Sequence, residues 1–418
     1  VLHFACRRAA YIGLLLLQPA TLRAQTPLTP VQYEQDFTYF WTTISENYCY
    51  FDKKQTDWAK VRTLYAAQLP GITTKAQFIR LLENALNELY DNHASLSTNL
   101  PDSRRLLPSG SDVWAQFQQG KPVVVAVRAG FGAERVGVRP GMEIVAVNEV
   151  PIAQALPPLL PLTLKTPDEA AREVALNQAL AGTHNTSRKL TVRSQGRTLT
   201  FYPDKPTAQL ENIRYPRLLE SRQLGTIGYI RINNSLGNNG LIAAFDSTLD
   251  ALSATSGLIL DLRETPNGGN STVGRAILGR FTTKEQFYQR HELTAEEQRY
   301  GIKRSWVELV SPRPRPYTRP LVILVGRWTS SMGEGTTVGF DALQWATIMG
   351  TEMARLNGGI GSYKLPNSGI GFAIPFERLY HINGTPRENF VPAQRIPLSE
   401  ESRDITLEKA LELLKAAK

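Results

Sequence analysis

Along the first hundred residues the apolar positions recur every three or four places. Phe37, Phe40, Trp41, Ile44 and Tyr48 form one stripe, and Trp58, Val61, Tyr65 and Leu69 a second. Phe78, Leu81, Leu82, Ala85, Leu86 and Leu89 form a third. This is the period of helices with one buried face. Pro70-Gly71 and the Thr73-Thr74 pair punctuate the chain before the third. From about residue 112 to 204 the period falls to two. Residues 122–127, 141–147, 189–193 and 197–201 read as strands, the last two joined by the turn Ser194-Gln195-Gly196, with one helix over 167–180. Beyond residue 212, short apolar runs at 228–232, 257–262 and 320–325 alternate with helical stretches over 238–253, 270–279 and 331–343. That alternation predicts an α/β layered core, closed by an amphipathic helix that Asp404 can cap. The expected fold class is therefore multidomain α+β: a helical bundle over 30–105, a β-rich module over 110–205 and an α/β core over 212–418.

The extreme start follows another pattern. Arg7-Arg8 precede an apolar run over 9–17, and Leu22-Arg23-Ala24 offers a small residue at a cut. This predicts a signal peptide over 1–24, too short for the roughly 20 residues of a membrane span. The expected location is periplasmic or extracellular, with no stable membrane insertion once the signal is removed. Hydrophobic residues at 42% and charged residues at 20% are those of an ordinary globular chain. The formal charge of +9 is dispersed apart from Arg313, Arg315 and Arg319. No basic stripe interleaves with aromatics, which argues against a nucleic-acid partner. Cys6 and Cys49 are too few for a disulfide framework or a cysteine zinc site. The five histidines are scattered, with no HExxH pair. No metal and no cofactor are expected.

Chemistry concentrates at two strand-to-helix junctions in the core. In 261–270, Gly268-Gly269 follow a buried strand and open a helix, so backbone N–H groups can face an anion without a Cβ in the way. In 325–335, hydroxyls stand at the mouth of the next helix. Ser330 or Ser331 there is a helix cap by itself and a nucleophile only if a base is near. His93, in a polar loop after the third helix, is the best-placed base. His3 lies in the signal and His184 in a polar loop; His291 reads as helical, and His381 as strand-like.

In this order the pieces resemble the C-terminal processing peptidase and tricorn-core family of serine proteases. The resemblance rests on Asn47-Tyr-Cys-Tyr-Phe51, Leu89-Tyr-Asp-Asn-His-Ala-Ser-Leu96 and Val136-Gly-Val-Arg-Pro-Gly-Met142. It continues in Leu260-Asp-Leu-Arg263 with Gly268-Gly269, Thr329-Ser-Ser-Met-Gly-Glu334, Leu365-Pro-Asn-Ser-Gly-Ile370 and Gly384-Thr-Pro-Arg-Glu-Asn389. It implies a PDZ-like module and a ClpP/crotonase-like core. It also implies Ser331 as nucleophile, with Met332 and Gly268 or Gly269 as the oxyanion hole. The processing peptidases use a lysine about 25 residues after the serine, but 351–359 holds none. The tricorn-like branch instead implies His93 as base and Glu388 as its orienter, reached through Asn92. The PDZ-like module would add a peptide to a sheet edge, with 128–132 as its carboxylate loop. The implied activity is a secreted serine endopeptidase acting on peptides or unfolded proteins through an acyl-enzyme. The alternative is a catalytically inactive relative that binds peptides through its PDZ-like module.

Overall fold

A computed structural model of the chain describes residues 28–205, 215–396 and 403–416. The signal peptide expected over 1–24 lies outside them. The bundle holds α1 (Pro30–Asn47), α2 (Trp58–Ala66) and α3 (Lys75–Asn87). Thr29 and Thr74 begin α1 and α3 with reciprocal caps to Gln32 and Gln77. The three apolar stripes meet in one core. That core extends into the rest of the molecule, since Phe40 packs edge-on against Phe372 at 5.0 Å between ring centres. Buried Asp36 accepts the N–H groups of Asn367 (2.8 Å) and Ser368 (2.7 Å). After α3 the chain forms β1 (Ser95–Leu96).

The β-rich module comprises β2 (Val113–Gln118), β3 (Lys121–Val127), α4 (Gly132–Val136), β4 (Glu143–Val147), β5 (Val150–Pro151), α5 (Ile152–Ala155), α6 (Glu169–Ala181), β6 (Leu190–Ser194) and β7 (Arg197–Phe201). Its sheet runs β2-β3-β4-β6-β7, with β5 beside β4. The first half of the outer edge of β2, at Val113 and Ala115, is engaged from within the chain. Ala115 donates its N–H to Asn177 Oδ1 (2.9 Å) and accepts Asn177 Nδ2 (3.0 Å). Ser111 Oγ donates to the Val113 carbonyl (2.6 Å) and accepts the Val113 N–H (3.3 Å). Nor is Arg128 free to act in a carboxylate loop, because its guanidinium is committed to Glu264 and to the Ser109 carbonyl. Removing the Asn177 amide strands two buried backbone groups at Ala115. Asn177→Ala is therefore expected to cost about 1–3 kcal/mol, read as a lowered melting temperature.

The core continues through β8 (Leu219–Leu224), β9 (Ile227–Ile232), α7 (Gly240–Ala251), β10 (Gly257–Asp261), α8 (Ser271–Leu278), β11 (Gln286–Leu293), α9 (Thr294–Tyr300) and β12 (Arg304–Val310). It closes with β13 (Leu321–Val325), α10 (Met332–Ala342), β14 (Ala346–Gly350), β15 (Gly359–Lys364), β16 (Gly371–Tyr380), β17 (Gln394–Arg395) and α11 (Ile405–Ala416). The central sheet runs β17-β14-β13-β10-β9-β8, parallel except for β8. Strand periodicity divides its side chains between two layers. Leu258, Leu260, Ile323 and Val325 pack with α7, α8 and α10, while Ile259, Val322 and Leu324 pack with α11. A second sheet, β1-β16-β11-β12 with β15 on β16, lies against α10. His291 is on β11 rather than in a helix. It is buried there, 3.1 Å from Glu377 and stacked on Trp306 at 5.0 Å. The charges of 290–292 look helical in sequence because this strand buries polar side chains on paired carboxylates.

Candidate active site

Parallel β10 and β13 are neighbours, so the loops at their carboxyl ends emerge side by side. A bridge between Thr265 and Thr329 joins the two loops. Ser330 is fully buried, and its hydroxyl donates to the carbonyls of Thr265 (3.1 Å) and Pro266 (2.8 Å). Its side chain is thus a fastener between the junctions. Ser331 follows with φ +49°, a conformation that side-chain-bearing residues seldom adopt. Ser331 is the N-cap of α10, so its Oγ stands at the mouth of that helix.

Gly268 lies directly against this serine. Its own φ is +58°, and a Cβ there would come within 2.5 Å of Ser331 Cβ and 2.9 Å of Oγ. Only glycine allows the approach. The Gly268 N–H is spent on the Thr265 carbonyl (3.2 Å), and its carbonyl accepts from Leu236 (2.6 Å). A trans peptide points its N–H opposite to its C=O, so the Gly269 N–H faces away from Leu236. Among the described residues, neither that N–H nor the N–H of Met332, first in α10, has an acceptor.

His93 reaches this point from the bundle because β1, two residues further on, pairs with β16 of the core. Its Nε2 is 3.1 Å from Ser331 Oγ, and its Nδ1 is 2.7 Å from the Asn357 carbonyl. A carbonyl can only accept, so the ring carries its proton on Nδ1 and presents a lone pair at Nε2 to the serine. Asp91 secures both ends of this contact. It accepts the His93 N–H (2.9 Å), the Asn357 side-chain amide (2.8 Å) and the Tyr48 hydroxyl (2.6 Å). Burial, reinforced by the positive charge of Arg387, pushes the His93 pKa down to about 4. Arg387 also holds the loop, donating to the carbonyls of Leu356 (3.0 Å) and Gly358 (2.6 Å).

Among the described residues no hydrogen bond links the His93 ring through Asn92 to Glu388. The single proton at Nδ1 is already given to Asn357, and Asn92 lines a groove on another side of the loop. Glu388 is half-buried, and its buried Oε2 has no hydrogen-bond partner among the described residues. Burial raises its pKa, with the Arg387 charge and the Tyr50 hydroxyl acting the other way. Ser331, His93, Gly268, Gly269 and Met332 are thus brought together, while Asn92 and Glu388 stay off the imidazole.

Three residues of this arrangement escaped the sequence reading as participants. Asp91 stood only inside a quoted motif, and Asn357 acts through its backbone, which no side-chain pattern reveals. Glu334 had a signal, the S-x-x-E spacing of a helix start. Fully buried, it accepts the N–H groups of Ser331 (2.7 Å), Arg355 (2.8 Å) and Leu356 (3.3 Å), tying the serine to the loop that carries Asn357. Burial raises its pKa to about 7, against those three donors and Arg387. Glu334→Gln turns an amide N–H₂ toward backbone donors. A loss of about 1–3 kcal/mol in thermal unfolding is expected.

A hydroxyl-imidazole contact beside free backbone N–H groups, on an α/β core, is an arrangement that serine hydrolases share, peptidases among them. Residues 226–392 match Peptidase family S41, and residues 30–87 match the tricorn protease C1 domain. The greater part of the core, residues 226–392, thus carries the pattern of Peptidase family S41, which supports a serine peptidase. No curated protein sequence matches it significantly. Among solved structures, mature CPAF is 16% identical with a TM-score of 0.58, the match covering 92% of this chain and 96% of that one. The photosystem II D1 C-terminal processing protease is 18% identical with a TM-score of 0.56, covering 93% and 98%. A putative peptidase from Parabacteroides merdae ATCC 43184 is 17% identical with a TM-score of 0.55, covering 91% and 96%. At these identities the likeness is one of fold.

Proposed function

We propose that the protein is a secreted serine endopeptidase that cleaves peptides or unfolded proteins, with Ser331 as nucleophile and His93 as general base. The observation that carries this reading is the 3.1 Å contact of His93 Nε2 with Ser331 Oγ, made by a ring whose Nδ1 is committed elsewhere. As Oγ attacks the scissile carbonyl, its proton passes to Nε2, and the carbonyl π electrons move onto oxygen. The Met332 and Gly269 N–H groups receive that oxyanion, a donor being worth roughly 3 kcal/mol in such sites. Collapse breaks the C–N bond, and the imidazolium protonates the leaving amine. Water then gives a proton to Nε2 and attacks the acyl carbonyl, and Oγ leaves with that proton. Asn357 takes the orienting place that Asp or Glu fills in many triads, through a neutral carbonyl. Secretion rests on the pattern of residues 1–24. Against the rival reading, an inactive peptide binder using a PDZ-like module, stands a β2 edge that Ser111 and Asn177 engage at Val113 and Ala115.

Incubation with unfolded casein, followed as new amino termini, tests the activity. Internal cleavage is expected, and turnover of simple esters without any peptide cleavage would contradict it. The pH profile tests the base. Burial and Arg387 both disfavour the imidazolium, so His93 stays neutral as pH falls, until about 4. Catalysis by the free enzyme should persist below the ordinary histidine range near 6.5. An acid limb in kcat/KM at 6.5 or above that survives Glu334→Gln would contradict the buried base.

A further inference from the structure

Beside the segment that carries His93 lies a groove of about 340 Å³, lined among others by Asn92, Ala94, Leu96, Arg104, Leu107 and Gln178. It sits between α3, β1, residues 103–107 and α6, and the chemistry above does not use it. β1 is an edge strand. Its register sets Ser95 against Ala373 and Leu96 against Phe372, and the Ser97 N–H donates to Gly371 (2.9 Å). Hydrogen-bonded and non-bonded pairs alternate in an antiparallel ladder, so Leu96 turns its N–H and C=O to the open edge. An extended peptide along that edge passes His93 within three residues, at about 3.3 Å each.

The charges around the groove are unequal in their commitments. Glu83 accepts Arg80 (2.7 Å) and the Ser103 hydroxyl, and Asp91 is saturated by Tyr48, His93 and Asn357. Arg104 has only Gln178 Oε1 at 3.5 Å, the limit of a hydrogen bond, and no carboxylate at ion-pair distance among the described residues. Burial and the nearby Arg80 both disfavour its charge, with Glu83 offsetting them in part. A guanidinium does not deprotonate in a protein, so this cation is half-buried without a matched anion. The stem side of the groove is apolar, through Leu86, Leu96 and Leu107.

We propose that this groove is a substrate subsite that takes a carboxylate on Arg104, within about three residues of the scissile bond. Its position relative to the bond rests on the peptidase reading above. The fork of Arg104 fits a carboxylate through two parallel N–H···O bonds, and leucine walls suit the methylenes behind it. An acidic side chain and a free peptide C-terminus offer the same chemistry.

Binding to the Ser331→Ala protein tests the subsite without catalysis. Dye-labelled peptides are compared by fluorescence anisotropy in two pairs: Glu against Gln near the scissile position, and free C-terminus against its amide. One pair is expected to differ by about tenfold or more in Kd, identifying the carboxylate source. The gap should shrink from about 0.05 to about 0.5 M salt and close in Ser331→Ala/Arg104→Met. Equal binding within each pair, or a gap that persists without Arg104, overturns the proposal. If Arg104→Met does not fold, Arg104→Lys keeps the charge and loses the fork; an undiminished gap there, insensitive to salt, also overturns it. Fluorophosphonate labelling of the wild-type serine reports separately on the peptidase reading.

Discussion

Ser331→Ala is expected to abolish peptide hydrolysis while leaving the melting temperature nearly unchanged. The substitution removes one oxygen whose hydrogen bond is to His93 Nε2. The backbone conformation at φ +49° is equally unfavourable for alanine, and the Ser331 N–H keeps its bond to Glu334. No other hydroxyl takes over, because that of Ser330 is buried and donated to two carbonyls of the neighbouring junction. Residual catalysis would come only from bound substrate facing the Met332 and Gly269 amides. The comparison of Ser330→Ala with Ser331→Ala separates the roles. The first should lower stability by loosening the junctions; the second should remove turnover. Hydrolysis by Ser331→Ala equal to that of the wild type would remove the mechanism outright.

His93→Ala is expected to lower kcat by about 10²–10⁴-fold, the range that general acid–base groups contribute. The loss has a specific physical origin. Serine is a weak nucleophile at neutral pH, and Nε2 is the acceptor in contact with its hydroxyl. Truncation also leaves the Asn357 carbonyl without its donor in a buried place, so some stability is lost with the rate. Measuring kcat together with the melting temperature keeps the two effects apart. A loss smaller than about tenfold in a folded variant would assign the base to another residue.

The parts of this arrangement that announce themselves in sequence are those whose physics is local. The strands at 257–261 and 321–325 are buried on both faces and so read as continuous apolar runs. The paired glycines at 268–269 and the hydroxyls at 329–331 stand where buried strands end and helices begin, which is where α/β sheets expose chemistry. By contrast β11 carries Arg290, His291 and Glu292 in succession. Only its neighbours, with Glu377 and Glu308 near the imidazole, explain why such a run is a strand. The group that meets His93 Nδ1, the Asn357 carbonyl, was hidden for a different reason. A backbone carbonyl has no residue type, and the family resemblance pointed instead to Glu388. The buried Glu334 carboxylate was half visible as a helix-start spacing, but its second duty, gathering the amides of Arg355 and Leu356, depends on a loop some twenty residues away.

The claim on which this account depends is that His93 activates Ser331. Fluorophosphonate labelling followed by peptide mapping reads it directly. The account predicts one adduct, on Ser331, forming at neutral pH in the wild type and slowed by orders of magnitude in His93→Ala. An adduct on Ser330, no adduct in folded protein, or equal labelling rates with and without the imidazole would contradict it.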